Sequence, residues 1–164
     1  MRHIAACLSL TALACSAAPS EPAAPTPEPG SFAATIDGAP GAPTSVDAVA
    51  TPALFTIIAA SNLGATNQLV VSIRLQRSAP GTFAFLPVQS PAAAQATMYY
   101  AGVTTPLQVY ATSGPGAYGF ANITSLTANR AVGTFEFQAP LISGSGPPAK
   151  HAVLGGTFDV PLPP

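Results

Sequence analysis

Charge is what this chain has least of. Charged residues make up 7% of its 164 positions and the formal net charge is -1, where a soluble protein carries about 25% charged residues. Past the leader, the basic residues are Arg74, Arg77, Arg130 and Lys150. Gripping nucleic acid takes many Lys and Arg to neutralise phosphates, so nucleic acid is excluded as a partner. A polybasic membrane patch is excluded on the same ground. Cysteine is nearly as scarce: Cys7 and Cys15 both lie in the first 15 residues. Beyond them a disulfide framework, a thiolate zinc site and a thiol nucleophile are all ruled out. Tryptophan is absent, which leaves core filling to Phe, Leu, Ile and Val. The length suits one domain plus a tail, large enough to bury a core without disulfides.

What is present begins with an export signal. Met1-Arg2-His3 is a short basic start, and Ile4 to Ala14 is an apolar run too short to span a bilayer as a helix. The run ends at Leu13-Ala14-Cys15-Ser16. Small residues before a Cys at that point match a bacterial lipoprotein signal, with Cys15 as the lipidation site and new N-terminus. Leu13 stands one place later than a lipobox Leu. Ile4-Ala5-Ala6-Cys7 fits the box better but leaves almost no leader ahead of it. The alternative is plain cleavage at Ala12-Leu13-Ala14, which gives a periplasmic or secreted protein. Residues 16–30 follow as a tether with Pro at 19, 22, 25, 27 and 29. Pro removes backbone donors and favours extended chain. At about 3.1 Å per residue the tether reaches roughly 45 Å. A Pro-rich ligand for an SH3-like partner is the sharper reading of the segment, and a spacer the plainer one.

Residues 31–164 read as one all-β domain. Ala131-Val132-Gly133-Thr134-Phe135-Glu136-Phe137-Gln138 alternates with period 2, and Gly-Thr-Phe recurs at 81–83, 133–135 and 156–158. Gln68 to Gln76 alternates most clearly, with Leu69, Val71, Ile73 and Leu75 on one face. Strands are also expected at 32–36, 46–50, 53–60, 82–86, 95–101, 107–111, 118–126 and 151–162. In the last of these, Leu154, Phe158, Val160 and Leu162 are expected in phase. Phe120 and Ile123 should face opposite ways. Asp37-Gly38 is a turn signal; 39–45 and 141–148 read as loops. About ten short strands with no helical crossover predict antiparallel pairing. The expected fold is an antiparallel β-sandwich, with an up-and-down β-barrel as the alternative. A membrane barrel would need strands of about 9–11 residues and aromatic girdles, and most of these are shorter.

The order of these parts carries a resemblance. A lipoprotein-like leader and Pro-rich spacer precede Phe32-Ala33-Ala34-Thr35-Ile36-Asp37-Gly38. Arg130-Ala131-Val132-Gly133-Thr134-Phe135-Glu136-Phe137-Gln138-Ala139 follows, then Gly155-Gly156-Thr157-Phe158-Asp159-Val160-Pro161-Leu162. Over residues 31 to 162 this resembles a group of uncharacterised bacterial lipoproteins, the DUF6252-like domain. The resemblance implies an exported β-rich lipoprotein domain and brings no catalytic residues.

Candidate chemistry is thin. Gly114-Pro115-Gly116-Ala117-Tyr118-Gly119 has dinucleotide spacing but is followed by a strand pattern, not the helix that pyrophosphate needs. It reads as a hairpin turn, and no cofactor is expected. Ser143-Gly144-Ser145-Gly146 lacks the first Gly of a nucleophile elbow. His151 is the only His beyond His3, so any Ser-His-Asp set must use it, with Asp159 as the nearest carboxylate along the strand. One His with Asp37, Asp47 and Asp159 is a poor metal set, and none is expected. An exposed edge-strand role fits His151 better, and the turn accounts for Asp37. Asn122-Ile123-Thr124 fits a glycosylation sequon of no consequence in a bacterial strand. Arg74, Glu136 and Asp159 should keep outward faces soluble. Tyr99, Tyr100, Tyr110 and Tyr118 are the candidate binding surface, set to stack on a glycan or pack on a protein; cross-strand packing is the plainer role. The expected function is a non-catalytic, lipid-anchored module with a structural or binding role at the outer membrane or cell surface. The alternatives are a carrier of an apolar ligand, favoured by a large dry cavity, and a hydrolase acting through His151.

Overall fold

The structure is a computed structural model and describes residues 28–41, 43–62, 67–76, 79–86, 94–102 and 106–163. The leader, Cys15 and most of the tether lie outside these residues. The described chain contains eleven strands: β1 (Ser31–Ile36), β2 (Ala39–Gly41), β3 (Ser45–Ala50), β4 (Leu54–Asn62), β5 (Asn67–Gln76), β6 (Gly81–Ala84), β7 (Gln95–Gly102), β8 (Gln108–Ala111), β9 (Tyr118–Leu126), β10 (Arg130–Ser143) and β11 (Lys150–Pro161). Among the described residues, no helix is long and apolar enough to cross a membrane.

Every pairing is antiparallel, in the order β2-β1-β11-β10-β8-β7-β5-β4-β3, with β9 and β6 branching from β10. The fold is all-β, as the alternation predicts. Its two layers are one strongly curled sheet, because β10 belongs to both. Residues 131–138 of β10 pair with β9, and Leu141 and Ser143 pair with β8. The chain therefore has the facing layers of a sandwich and the continuity of a barrel.

Three local expectations are overturned. The 114–119 segment is not a hairpin turn, since β8 and β9 do not pair with each other. They lie end to end along β10, and 112–117 is the crossing between layers. Gly114 is needed there because a Cβ would sit 2.6 Å from Pro140 Cγ. Residues 141–143 are strand, not loop, because β8 supplies pairing partners beyond Pro140. Residues 39–41 also form a strand, folded back on β1 by the Asp37-Gly38 turn. Both turn residues have positive φ, 50° and 84°, as a tight hairpin with matched twist requires.

The inner faces form one core. Leu69, Val71, Ile73 and Leu75 are buried on β5, and Phe55 and Ile57 on β4. They face Ile123, Phe135, Phe137, Phe158 and Val160 from the other layer. Fully burying each such side chain contributes about 1.5–3 kcal/mol. Phe120 is exposed while Ile123 is buried, on opposite faces as expected. The apolar inner face is the reverse of a membrane barrel's polar lumen.

Two of the three Gly-Thr-Phe segments pair with each other. Gly133 lies opposite Phe158, Thr134 opposite Thr157 and Phe135 opposite Gly156. Each ring covers the partner's glycine: a Cβ on Gly156 would lie 2.5 Å from the Phe135 ring, and one on Gly133 would lie 2.5 Å from Phe158 Cζ. The register then slips between Phe135 and Phe137, with an extra residue on β11 at Gly155, φ 58°. This bulge turns Val153 inward and Leu154 out, at 51% exposure. Leu154 is thus not in phase with Phe158 and Val160, contrary to the sequence pattern.

Candidate functional site

One end of the curled sheet holds a cluster of polar side chains, Asp37, His151, Tyr110 and Gln108. The β1–β2 hairpin brings Asp37 onto β11. Its N–H donates to the Ala152 carbonyl at 2.9 Å, and its Oδ1 accepts from the Ala152 N–H at 2.8 Å. Oδ2 meets Nδ1 of His151. A carboxylate only accepts, so the His151 Nδ1–H donates to it; Nε2 is then an acceptor in the neutral ring and a second N–H donor in the charged one. Partial burial works to raise the Asp37 pKa. The Ala152 N–H, the His151 hydrogen bond and the imidazole charge outweigh it, and the carboxyl sits below its ordinary 3.8.

Tyr110 holds the other side of the imidazole, its ring 4.3 Å away and edge-on. Its hydroxyl donates toward Gln108 Oε1 and the Pro148 carbonyl, each at 3.1 Å. Gln108 Nε2 donates in turn to the Ser145 carbonyl at 2.7 Å. The β10–β11 loop is thereby pinned to β8. Desolvation pushes the Tyr110 phenol above its ordinary 10.0, and the Asp37 charge adds to it.

Two cavities meet at this cluster. The first, of about 380 Å³, is walled by Ile36, Pro40, Leu69, Met98 and Tyr100, with Ser61, Asn62 and His151 among its polar groups. The second, of about 490 Å³, is lined by Gln108, Ser145, Gly146, Pro147 and Pro148. Tyr100 and His151 line both. The first has the size and make-up of a small-molecule site: an apolar body with few polar groups. It lies where the curl opens, beyond the filled part of the core.

No protein-family model, curated protein or solved structure matches the chain. The site therefore has to be interpreted from its own chemistry. Asp37 and His151 form an oriented carboxylate–imidazole pair of the kind that serves general-base catalysis. Among the described residues, however, no Ser or Thr hydroxyl hydrogen-bonds to the imidazole. Asp159, the carboxylate singled out along the strand, is engaged elsewhere, at 2.5 Å from Arg130 Nε. Asp47 accepts from its neighbour's Ala48 N–H at 2.8 Å. Among the described residues, no group of three or more His, Cys, Asp or Glu is placed to hold a metal.

The four tyrosines do not form one surface. Tyr100 and Tyr110 share the inner face around His151. Tyr110 is fully buried and packs rather than binds; Tyr99 and Tyr118 are exposed elsewhere, at 39% and 59%. Of the four, Tyr100 lines both cavities. His151 is not simply an edge-strand residue, since β11 lies between β1 and β10 and its imidazole is largely covered. Asp37 serves the turn and also holds that ring. Sequence reasoning missed the pairing because its members are 114 residues apart. The only available hint was that the domain has a single His and three Asp.

Proposed function

We propose that the chain is a non-catalytic binding module, exported and held at a bacterial envelope by a lipid on Cys15, which takes a small, largely apolar ligand in the groove beside Tyr100. The observation that carries the binding role is the apolar groove walled by Ile36, Leu69, Met98 and Tyr100 at one end of the curled sheet. The leader, the Pro-rich spacer and the paired Gly-Thr-Phe strands support kinship with the DUF6252-like lipoproteins. An exported domain without disulfides has to draw its stability from packing, and the two-layer core is consistent with that.

Two measurements test the parts separately. Intact mass of the protein from a bacterial membrane fraction should show a diacylglyceryl adduct that Cys15→Ala lacks; an unmodified wild-type chain would make this a periplasmic or secreted protein. For the groove, the uncharged dye Nile red should brighten on adding the wild-type protein. Ala39→Phe, which places a ring at an exposed lining position, should abolish the response. Equal brightening with both proteins would sink the groove reading. The Asp37–His151 pair favours a hydrolase as a second reading. It requires His151→Ala to abolish turnover of an ester substrate.

A further inference from the structure

The charges around the two cavities narrow the ligand. Among the described residues, neither cavity is lined by Lys, Arg, Asp or Glu. Both cavities share the imidazole of His151, which already faces the Asp37 carboxylate within the protein. An anionic or cationic head entering here would lose its hydration and find no counter-charge. A hydroxyl-bearing head meets a different environment. His151 Nε2 has no hydrogen-bond partner among the described residues, and a hydroxyl can meet it in either form of the ring, donating to the bare nitrogen or accepting from the N–H. Gln108 adds a carboxamide in the second cavity, and Tyr100 offers a ring between the two. The second cavity thus adds the Gln108 carboxamide and the Ser145 hydroxyl to a lining that Pro147 and Pro148 keep partly apolar, across a boundary formed by Tyr100 and His151.

We propose that the two cavities are subsites of one site for an uncharged amphipath: an alkyl or alicyclic body lies between the β1–β2 hairpin and β5–β7, and a hydroxylated head such as a sugar lies against Gln108 and the β10–β11 loop, its hydroxyl hydrogen-bonded to His151 Nε2. This rests on the groove reading above and adds the class of ligand and the residue that recognises its head.

Three probes with the same tail separate the claims: octyl glucoside, octanoate and octylammonium, each titrated below its micelle-forming concentration into the full ¹⁵N-labelled chain. Octyl glucoside should shift the amides of Ile36, Ala39 and Gly41, of Met98 and Tyr100, and of His151. It should bind at least about tenfold more tightly than either charged probe, a gap of about 1.4 kcal/mol. His151→Phe should remove most of that preference while leaving the weak binding of octanoate unchanged, and Ala39→Phe should block all three. Equal affinities, or a preference for a charged head, would overturn the ligand class while the groove reading stood. Preference for the glucoside that survives His151→Phe would overturn the role of Nε2. If none of the probes bound, or the shifts fell outside these residues, both readings would fail.

Discussion

Asp37 does three jobs with one short side chain. Its backbone adopts a positive φ in the hairpin turn, one carboxylate oxygen takes the Ala152 N–H, and the other orients His151. Its pKa lies below the ordinary 3.8, so the folded state favours the charged form. The resulting stability is fully present above about pH 4 and is lost as pH falls through the lowered folded value. Asp37→Asn should therefore be less stable than wild type near pH 7, with a smaller gap at about pH 3. The carboxylate is 44% exposed, so solvent screening keeps that gap to about 1 kcal/mol or less. Denaturant unfolding at the two pH values measures it. A gap that stays constant would assign the effect to turn geometry instead of charge.

At the scale of elements, the β10–β11 pair explains the repeated Gly-Thr-Phe. Glycine in a strand ordinarily weakens it. Here each glycine makes room for a ring on the neighbouring strand, and the antiparallel register makes the exchange reciprocal. Gly156→Ala should cost about 1–3 kcal/mol by overpacking against Phe135. Combining it with Phe135→Leu should cost less than the sum of the two single changes, giving a coupling of about 0.5 kcal/mol or more in a double-mutant cycle. Strict additivity would mean that the ring moves aside freely. The third copy, at 81–83, sits on β6 and pairs with β9 instead. Thr82 Oγ1 lies 3.3 Å from Asn122 Oδ1, which accepts its hydrogen bond.

For the whole molecule, the shared strand β10 sets the order of stability. It pairs with β11, β9 and β8 and joins the layers. Loss of β10 would separate the layers; loss of an edge strand would not. Hydrogen exchange should therefore be slowest in β10 and β5, which are paired on both sides. It should be fastest in β2 and β6, edge strands of three and four residues. Slow exchange in β2 would show that the hairpin beside the groove is held as firmly as the core, and the groove would then have to admit ligand without hairpin movement.

The sequence by itself determined most of the strands, the scarcity of charge and the confinement of both cysteines to the first 15 residues. Alternation with period 2 is local, so Gln68 to Gln76 and 131–138 could be assigned from neighbouring residues alone. Only the tertiary structure decided how the layers join, where the bulge at Gly155 moves Leu154, and which carboxylate meets His151. Those outcomes depend on register and on contacts between distant segments. A one-residue bulge reverses the facing of every side chain beyond it, and the Asp37–His151 pair spans 114 residues. The strand pattern gives His151 a position along β11, but the hairpin docking on β11 gives it Asp37, and the curl of the sheet gives it two cavities.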